Sequence, residues 1–359
     1  MTAVQIFGTS KVVYFLRQTF SSYGYSEYKM NKFEEYDLYV KNKDFLISDN
    51  VITFTDTNGK LLALKPDVTL SIVKNTKDGQ GINKVFYSEN VYRVSSKSNG
   101  YREIPQMGLE CIGDIDGVME AEVISLAKQS LNAIDKNNVL ELSPVGIVLD
   151  YIDRLSLTID VKKTAYKFIN EKNVHELTAL LNKNGVDDER VIVLCELVTL
   201  CGKAKTVLSK LEGILKNTPQ EKLLRDFESV IIALDDQTLD GIIIDCSAVK
   251  NVKYYNDVTF RGYIEGLPKE VLSGGRYDGL LKTMGKKSGA IGFAIYLDEF
   301  DRLFATTKDY DLDVIVLYDD NSDKKLVLKK VKELVQENKT VSALKSVPNG
   351  ITYKEIIKI

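Results

Sequence analysis

Between residues 9 and 22 apolar positions fall at helical spacing, with Val13, Phe15, Leu16 and Phe20 along one stripe and Thr9 or Ser10 placed to cap the start. Gly24 breaks the pattern, and from there to about residue 115 short strand-like runs take over: VITFTD, GKLLALK, KVFYSENVYRV and IPQMGLECIG. Such runs, bounded by turn residues, predict one antiparallel sheet with a hairpin, interrupted by a helix near 68–75. Another helix is predicted over about 117–135. From about 150 to 238 apolar positions recur only at three- and four-residue spacing, with breaks at Asn184-Gly185 and Thr218-Pro219, so this stretch reads as helices alone. The β pattern returns in GIIIDC, VKYYNDVTFRGYIEG and EVLSGG, and closes on a helix, a strand (GAIGFAIY) and a last helix. A sheet left at residue 115 and resumed at 241 predicts an α+β domain over 1–308 that carries a helical insertion.

The tail, 309–359, reads as a strand (LDVIVLY), a helix (KKLVLKKVKELVQE), a second strand (TVSAL) and a final apolar stretch. That is a small α/β unit, well short of the roughly 100–150 residues of an ordinary domain.

Charge and composition narrow the function classes. Lys and Arg number 48 against 51 Asp and Glu, a net charge of -3, and no basic run is long enough to follow a phosphate backbone, so nucleic acid is not an expected partner. No stretch has the length of a membrane span, and the first residues lack the basic start and apolar run of a signal peptide, which points to the cytoplasm. Cys111, Cys195, Cys201 and Cys246 form no CxxC pair and read as buried free thiols, and His175 is the only histidine, so neither a His-based triad nor a multi-histidine metal site is available. No cofactor or metal is expected.

Three segments carry candidate chemistry. In YRVSSKSNGYREIPQMGLECIG two strands flank a polar loop of about ten residues with Asn99-Gly100 at its tip. Alternation on the second strand puts Gln106, Gly108 and Glu110 on one face and Met107, Leu109 and Cys111 on the other. A carboxylate in so apolar a strand needs either solvent or a partner bearing a donor, and Gly108 leaves room for close approach. The polar face is therefore a solvated sheet face or a pocket floor. In LALKPDVT, Pro66 sets a helix entry where Asp67 can cap the helix or hold an amine. The third segment pairs Tyr254-Tyr255, read as strand residues, with the glycine-rich Ser273–Asp278 stretch, read as a loop that lacks the spacing of a nucleotide-binding turn.

Together, and in this order, these segments resemble the histidyl-tRNA synthetases. YRVSS with YREIPQMGLECIG resembles their motif 2 hairpin, NVKYYNDVTF and SGGRYDGLL their two histidine-specific segments, GAIGFAIYLDEF their motif 3, and LKPDVT their LRPE or LRPD run. The resemblance covers about residues 5–305 and implies a class II synthetase-like antiparallel sheet with flanking helices. It places Asp67, Thr69 and Gln106 where that family holds the α-amino group of histidine, Glu110 and Tyr255 where it reads the imidazole, and Tyr277 where the pocket closes. Arg93 matches the motif 2 arginine and Arg102 a second phosphate contact, both as remnants.

The rest of the reaction machinery departs from the family. Ser95 replaces the motif 2 acid, Glu299 stands at the motif 3 arginine, Lys250 replaces the histidine-specific arginine, and Lys253 an acid near it. A carboxylate at position 299 repels the phosphates that an arginine there would hold, and a lysine at 250 lacks the planar fork. Arg302, one helical turn past Glu299, is the one nearby group that could restore a positive charge. Motif 1 lacks its proline, with Asn31 in that region, and the anticodon-binding domain of such synthetases is represented only by the short tail.

A histidine pocket kept while the phosphate clamp is lost resembles the regulatory subunit of the short-form ATP phosphoribosyltransferases. That implies a non-catalytic homodimer within a hetero-oligomer, partnered by the short-form catalytic subunit of the first step of histidine biosynthesis, with histidine as feedback ligand. The alternative is a divergent, adenylating relative of the histidyl-tRNA synthetases.

Overall fold

The computed structural model describes residues 8–46, 51–79, 81–94, 100–249, 254–298, 300–303 and 310–359, and the side chains of these except Asp44, Asp301 and Arg302. The chain divides into two compact units, Met1–Leu303 and Phe304–Ile359.

The larger unit is organised on a sheet that has nine strands among the described residues. From edge to edge these are Ser26–Glu27, Asn83–Val94, Tyr101–Gly113, Gly289–Tyr296, Leu272–Arg276, Thr259–Ile264, Asn138–Ser143, Ile242–Asp245 and Cys201–Lys203. The pairings are antiparallel except at Ser26–Glu27 against Asn83–Val94 and at Asn138–Ser143 against Ile242–Asp245. The α+β architecture is the one the sequence pattern predicts. In the hairpin, Val94 pairs with Tyr101, so the connection is 95–100 and shorter than the expected ten-residue loop. Residues 95–99, Asn99 among them, lie outside the described residues.

Register fixes the two faces of this sheet. Phe86, Leu109 and Phe293 line up across three strands, and Phe20 of the Gly8–Ser22 helix lies over them, its ring 6.0 Å from each of the two phenylalanine rings. Burying one such side chain stabilises the fold by about 1.5–3 kcal/mol. Val12, Leu16 and Phe20 form the buried stripe of that helix, whereas Phe15 is half exposed. Each residue turns the helix by about 100°, so a neighbour of Leu16 leaves the narrow stripe the sheet can cover. Gly274 continues the aromatic row: a Cβ there would lie 2.5 Å from Phe293 Cβ and 2.6 Å from the Phe260 ring, so glycine is what lets those two rings approach. The Gly117–Ile134 helix starts where Asp116 accepts hydrogen bonds from the Val118 and Met119 amides at 3.0 and 2.9 Å, and it packs against the central strands.

Four local expectations change. VITFTD and GKLLALK supply Thr53–Thr55 and Leu61–Leu64, but these pair with Phe33–Glu35 in a separate three-stranded sheet. Thr53, Phe54 and Thr55 are exposed, so their alternation reflects no shared core and could not assign them to a sheet. The predicted all-helical stretch holds helices from Val145–Asp153 to Asp236–Asp240, but Cys201–Lys203 pairs with Ile242–Asp245, too short a strand for periodicity to reveal. Tyr254 and Tyr255 precede their strand, which begins at Thr259, and Ser273–Arg276 is strand rather than loop. Of the cysteines, Cys111 and Cys246 are buried, but Cys195 is half-buried and Cys201 exposed. His175 is exposed near the start of the Val174–Lys183 helix.

The smaller unit is a parallel sheet in the order Val341–Leu344, Leu312–Leu317, Tyr353–Lys358. Its Lys324–Gln336 helix is capped by Asp323 and contributes Val327 and Leu334 to a core with Val314 and Val316. Among the described residues no helix is long and apolar enough to cross a membrane.

Candidate functional site

On the sheet face opposite Phe20 lies a cavity of about 510 Å³. Register explains its floor. Glu110, Gly292, Gly275 and Thr259 stand side by side across four strands, and the next row on the same face reads Tyr87, Gly108, Ala294, Ser273 and Arg261. Met107, Leu109 and Cys111 point the other way and are fully buried. Of the two readings of the polar face, a pocket floor is the one the structure shows.

Glu110 is 3% exposed and is held at both oxygens: Thr69 Oγ1 donates to Oε1 at 2.6 Å and the Tyr277 hydroxyl donates to Oε2 at 2.5 Å. Burial raises its pKa from 4.5 to about 8, with the nearby Asp67 charge adding to the rise and the two hydroxyls opposing it. Gly292 makes the space, since a Cβ there would lie 1.8 Å from Glu110 Oε2 and 2.4 Å from the Leu109 carbonyl oxygen. Because the second of these is backbone, Gly292→Ala forces the strands apart. An overpacking cost of about 1–3 kcal/mol is expected, read as a lower urea midpoint, and an unchanged midpoint would show that the strands yield freely.

Asp67 lines the cavity from the start of the Thr69–Asn75 helix and accepts from the Leu70 amide at 2.9 Å, so it caps the helix while one face meets the cavity. Burial pushes its carboxyl up, opposed by the Leu70 N–H and by Arg93. Gln106 is 4% exposed, and its Nε2 has no hydrogen-bond partner among the described residues. An orphaned buried donor costs about 1–3 kcal/mol, so a ligand acceptor here would repair a standing deficit. Tyr255 and Tyr277 complete the wall, with Tyr254 wedged between them, ring centroids 4.8 and 5.4 Å away. Burial holds these phenols, and that of Tyr87, well above their ordinary pKa, so they remain donors. Arg276 anchors the Tyr277 segment through ion pairs to Glu120 and, at 3.0 Å, to Asp278.

Asp67, Thr69, Gln106, Glu110, Tyr255 and Tyr277 thus all line one cavity, as does Arg93, whose Nε donates to the Pro66 carbonyl at 3.1 Å. Arg102 does not line it: its guanidinium pairs with Asp298 at 2.9 Å. Ser95, Lys250, Lys253, Glu299 and the Arg302 side chain lie outside the described residues. Sequence reasoning passed over Tyr87, which the hairpin register sets opposite Gly108, and a whole wall from the insertion: Lys163, Tyr166, Lys167 and Asn170 of the Ile159–Asn170 helix. Among the described residues no group of His, Cys, Asp or Glu could hold a metal ion.

The family model described as histidyl-tRNA synthetase matches residues 9–300. An ATP phosphoribosyltransferase regulatory subunit from Clostridium botulinum (strain Langeland) is 30% identical over 344 residues, covering 90% of this chain and 78% of that protein. The chain belongs to the ATP phosphoribosyltransferase regulatory subunits, within the histidyl-tRNA synthetase family. Solved structures agree on the regulatory-subunit fold, which is that of the class II synthetases. An ATP phosphoribosyltransferase regulatory subunit/histidyl-tRNA synthetase from Bacillus halodurans superposes with a TM-score of 0.79 at 19% identity, covering 100% of this chain and 98% of the other. A chain of the ATP phosphoribosyl transferase (HisG:HisZ) complex from Thermotoga maritima does so with a TM-score of 0.62 at 18% identity, covering 80% of this chain and 97% of that one.

Proposed function

We propose that this chain is the regulatory subunit of an ATP phosphoribosyltransferase, acting on a separate catalytic subunit in the first step of histidine biosynthesis, and that its cavity binds L-histidine as the feedback signal. The observation that carries the ligand assignment is Glu110, a buried carboxyl held by two hydroxyls in a cavity that also presents Asp67 and Gln106. An imidazole supplies N–H donors to Glu110 and Tyr255, and an ammonium group pairs with Asp67. Feedback further requires that histidine bind the active and inhibited complexes unequally. The chain itself is non-catalytic, a homodimer within the hetero-oligomer and cytoplasmic. What supports the first point is Glu299 and Lys250 at positions where the adenylating relatives carry arginine.

Arg93 in the cavity wall is the one observation that favours an adenylating enzyme instead. Two measurements separate the readings. Co-expression with a short-form catalytic subunit is expected to give a complex that turns over faster than that subunit alone and is inhibited by histidine, and the purified chain is expected to show no histidine-dependent exchange of pyrophosphate into ATP. Robust exchange, or no complex and no activation, would overturn the proposal.

A further inference from the structure

The cavity is larger than an amino acid of histidine's size needs, and its remaining part differs in chemistry from the part around Glu110. Across the floor, Gly108, Ala294, Ser273 and Arg261 sit on successive strands. At about 4.8 Å per strand, the Arg261 backbone is roughly 14 Å from that of Gly108, so this end lies beside an amino acid seated at Glu110 and Asp67 rather than under it. Lys163, Tyr166, Lys167 and Asn170 recur at three- and four-residue spacing, so one face of the Ile159–Asn170 helix lines the cavity, and Lys172 just past it pairs with Asp245 of the Ile242–Asp245 strand at 2.8 Å, which sets the helix on this side of the sheet.

The charge balance changes with position. Four cationic side chains line the cavity, Arg93, Lys163, Lys167 and Arg261, against three carboxyls, Asp67, Glu110 and Glu270. Asp67 and Glu110 belong to the amino-acid end in the functional reading above. Glu270 remains, together with Glu141, which lies outside the lining and pairs with Arg261 at 3.2 Å. With Arg93 set aside on the hairpin, Lys163, Lys167 and Arg261 against these two carboxylates leave an excess of one positive charge at this end. Among the described residues Lys163 and Lys167 have only surface partners, Asp160 at 3.7 Å and Glu171 at 4.0 Å, and such exposed pairs hold their lysines loosely. The Ser273 and Tyr296 hydroxyls, 2.7 Å apart, share one hydrogen bond and together leave one neutral donor on the floor. This end is also separate from Arg93 and Arg102, which lie on the hairpin strands, since the Gly289–Tyr296 and Leu272–Arg276 strands stand between them and Arg261.

We propose that the part of the cavity over Ser273 and Arg261, walled by Lys163 and Lys167 of the insertion helix, is a second subsite that takes a phosphate group next to the imidazole-binding end. The phosphate is either free or carried on an imidazole amine. The proposal rests on the histidine reading for the occupant of the first end, and it gives the helical insertion a direct contact with the ligand.

Calorimetry on the full chain tests it with L-histidine, L-histidinol, L-histidinol phosphate and inorganic phosphate, the last with and without saturating histidine. Either L-histidinol phosphate binds at least tenfold tighter than L-histidinol, which identifies the tethered source, or phosphate binds saturably beside histidine, which identifies the free one. In Lys163→Ala/Lys167→Ala, whose altered side chains are about two-thirds exposed and so dispensable for folding, that gain is expected to fall to within about twofold of none. A phosphate gain that persists in the double variant, or no gain with either phosphate in the wild type, overturns the subsite. The histidine reading is scored separately: it fails if L-histidine does not bind, whatever phosphate does.

Discussion

Replacing Glu110 by alanine is expected to lower the affinity for L-histidine by about a hundredfold or more without lowering the stability of the empty protein at pH 8. Removing one partner of a buried, hydrogen-bonded charged pair costs about 2–5 kcal/mol of binding. Here the buried carboxyl accepts from both Thr69 and Tyr277. The stability half follows from the direction of the pKa shift. Burial raises the Glu110 pKa to about 8, so the folded environment disfavours the ionised group, and deleting it relieves that cost as it loses two hydrogen bonds. Glu110→Gln sharpens the test, since the amide keeps the shape and one acceptor but cannot carry the charge. In the complex with the catalytic subunit both variants are expected to keep activation and lose histidine inhibition. A variant that binds histidine normally removes Glu110 from the site, and one that unfolds at ordinary temperatures assigns it a structural role instead.

Much of this site is legible in the sequence. The alternation of Gln106, Gly108 and Glu110 against Met107, Leu109 and Cys111 settles the two faces of a strand by geometry alone, and the strand obeys it because one face packs under Phe20. The match of LKPDVT and SGGRYDGLL to a known family located Asp67, Thr69 and Tyr277 as pocket residues. What stayed hidden depends on contacts distant in sequence. Tyr87 joins the wall only through its pairing with Gly108, and the face of Lys163, Tyr166 and Lys167 reads from sequence as an ordinary solvated helix surface. Gly292 looks like one more strand residue until a Cβ placed there runs into the Glu110 carboxyl. Tyr254 and Tyr255 look like strand residues by composition but lie in the turn before Thr259, where their rings reach Tyr277 and the cavity. Local propensity cannot see that arrangement, because tertiary packing selects it.

The affinity for L-histidine is expected to pass through a maximum between about pH 6.5 and pH 8 and to fall by about tenfold per pH unit on either side. Glu110 in the empty cavity keeps its proton up to about pH 8, and the free ligand's imidazole is protonated below about 6.5. A bare carboxylate is costly at a site so buried, so the bound pair holds a single proton shared between Glu110 and the imidazole. Between the two values the free partners already carry one proton, on Glu110, and binding exchanges none. Below about 6.5 they carry two and one is released, and above about 8 they carry none and one is taken up, so each limb loses affinity with unit slope. Burial keeps the Tyr87, Tyr254, Tyr255 and Tyr277 phenols protonated throughout, and it also raises Asp67, whose protonation weakens its hold on the ammonium group and so acts in the same direction as the acid limb. Calorimetry at pH 5.5 to 8.8 in buffers of differing ionisation enthalpy reads both affinity and proton count. Proton release near pH 7.5, or affinity that still climbs above pH 8, would mean that neutral imidazole meets an ionised Glu110 and that the shared proton does not exist. Glu110→Gln is expected to lose the alkaline limb altogether, because its side chain cannot titrate.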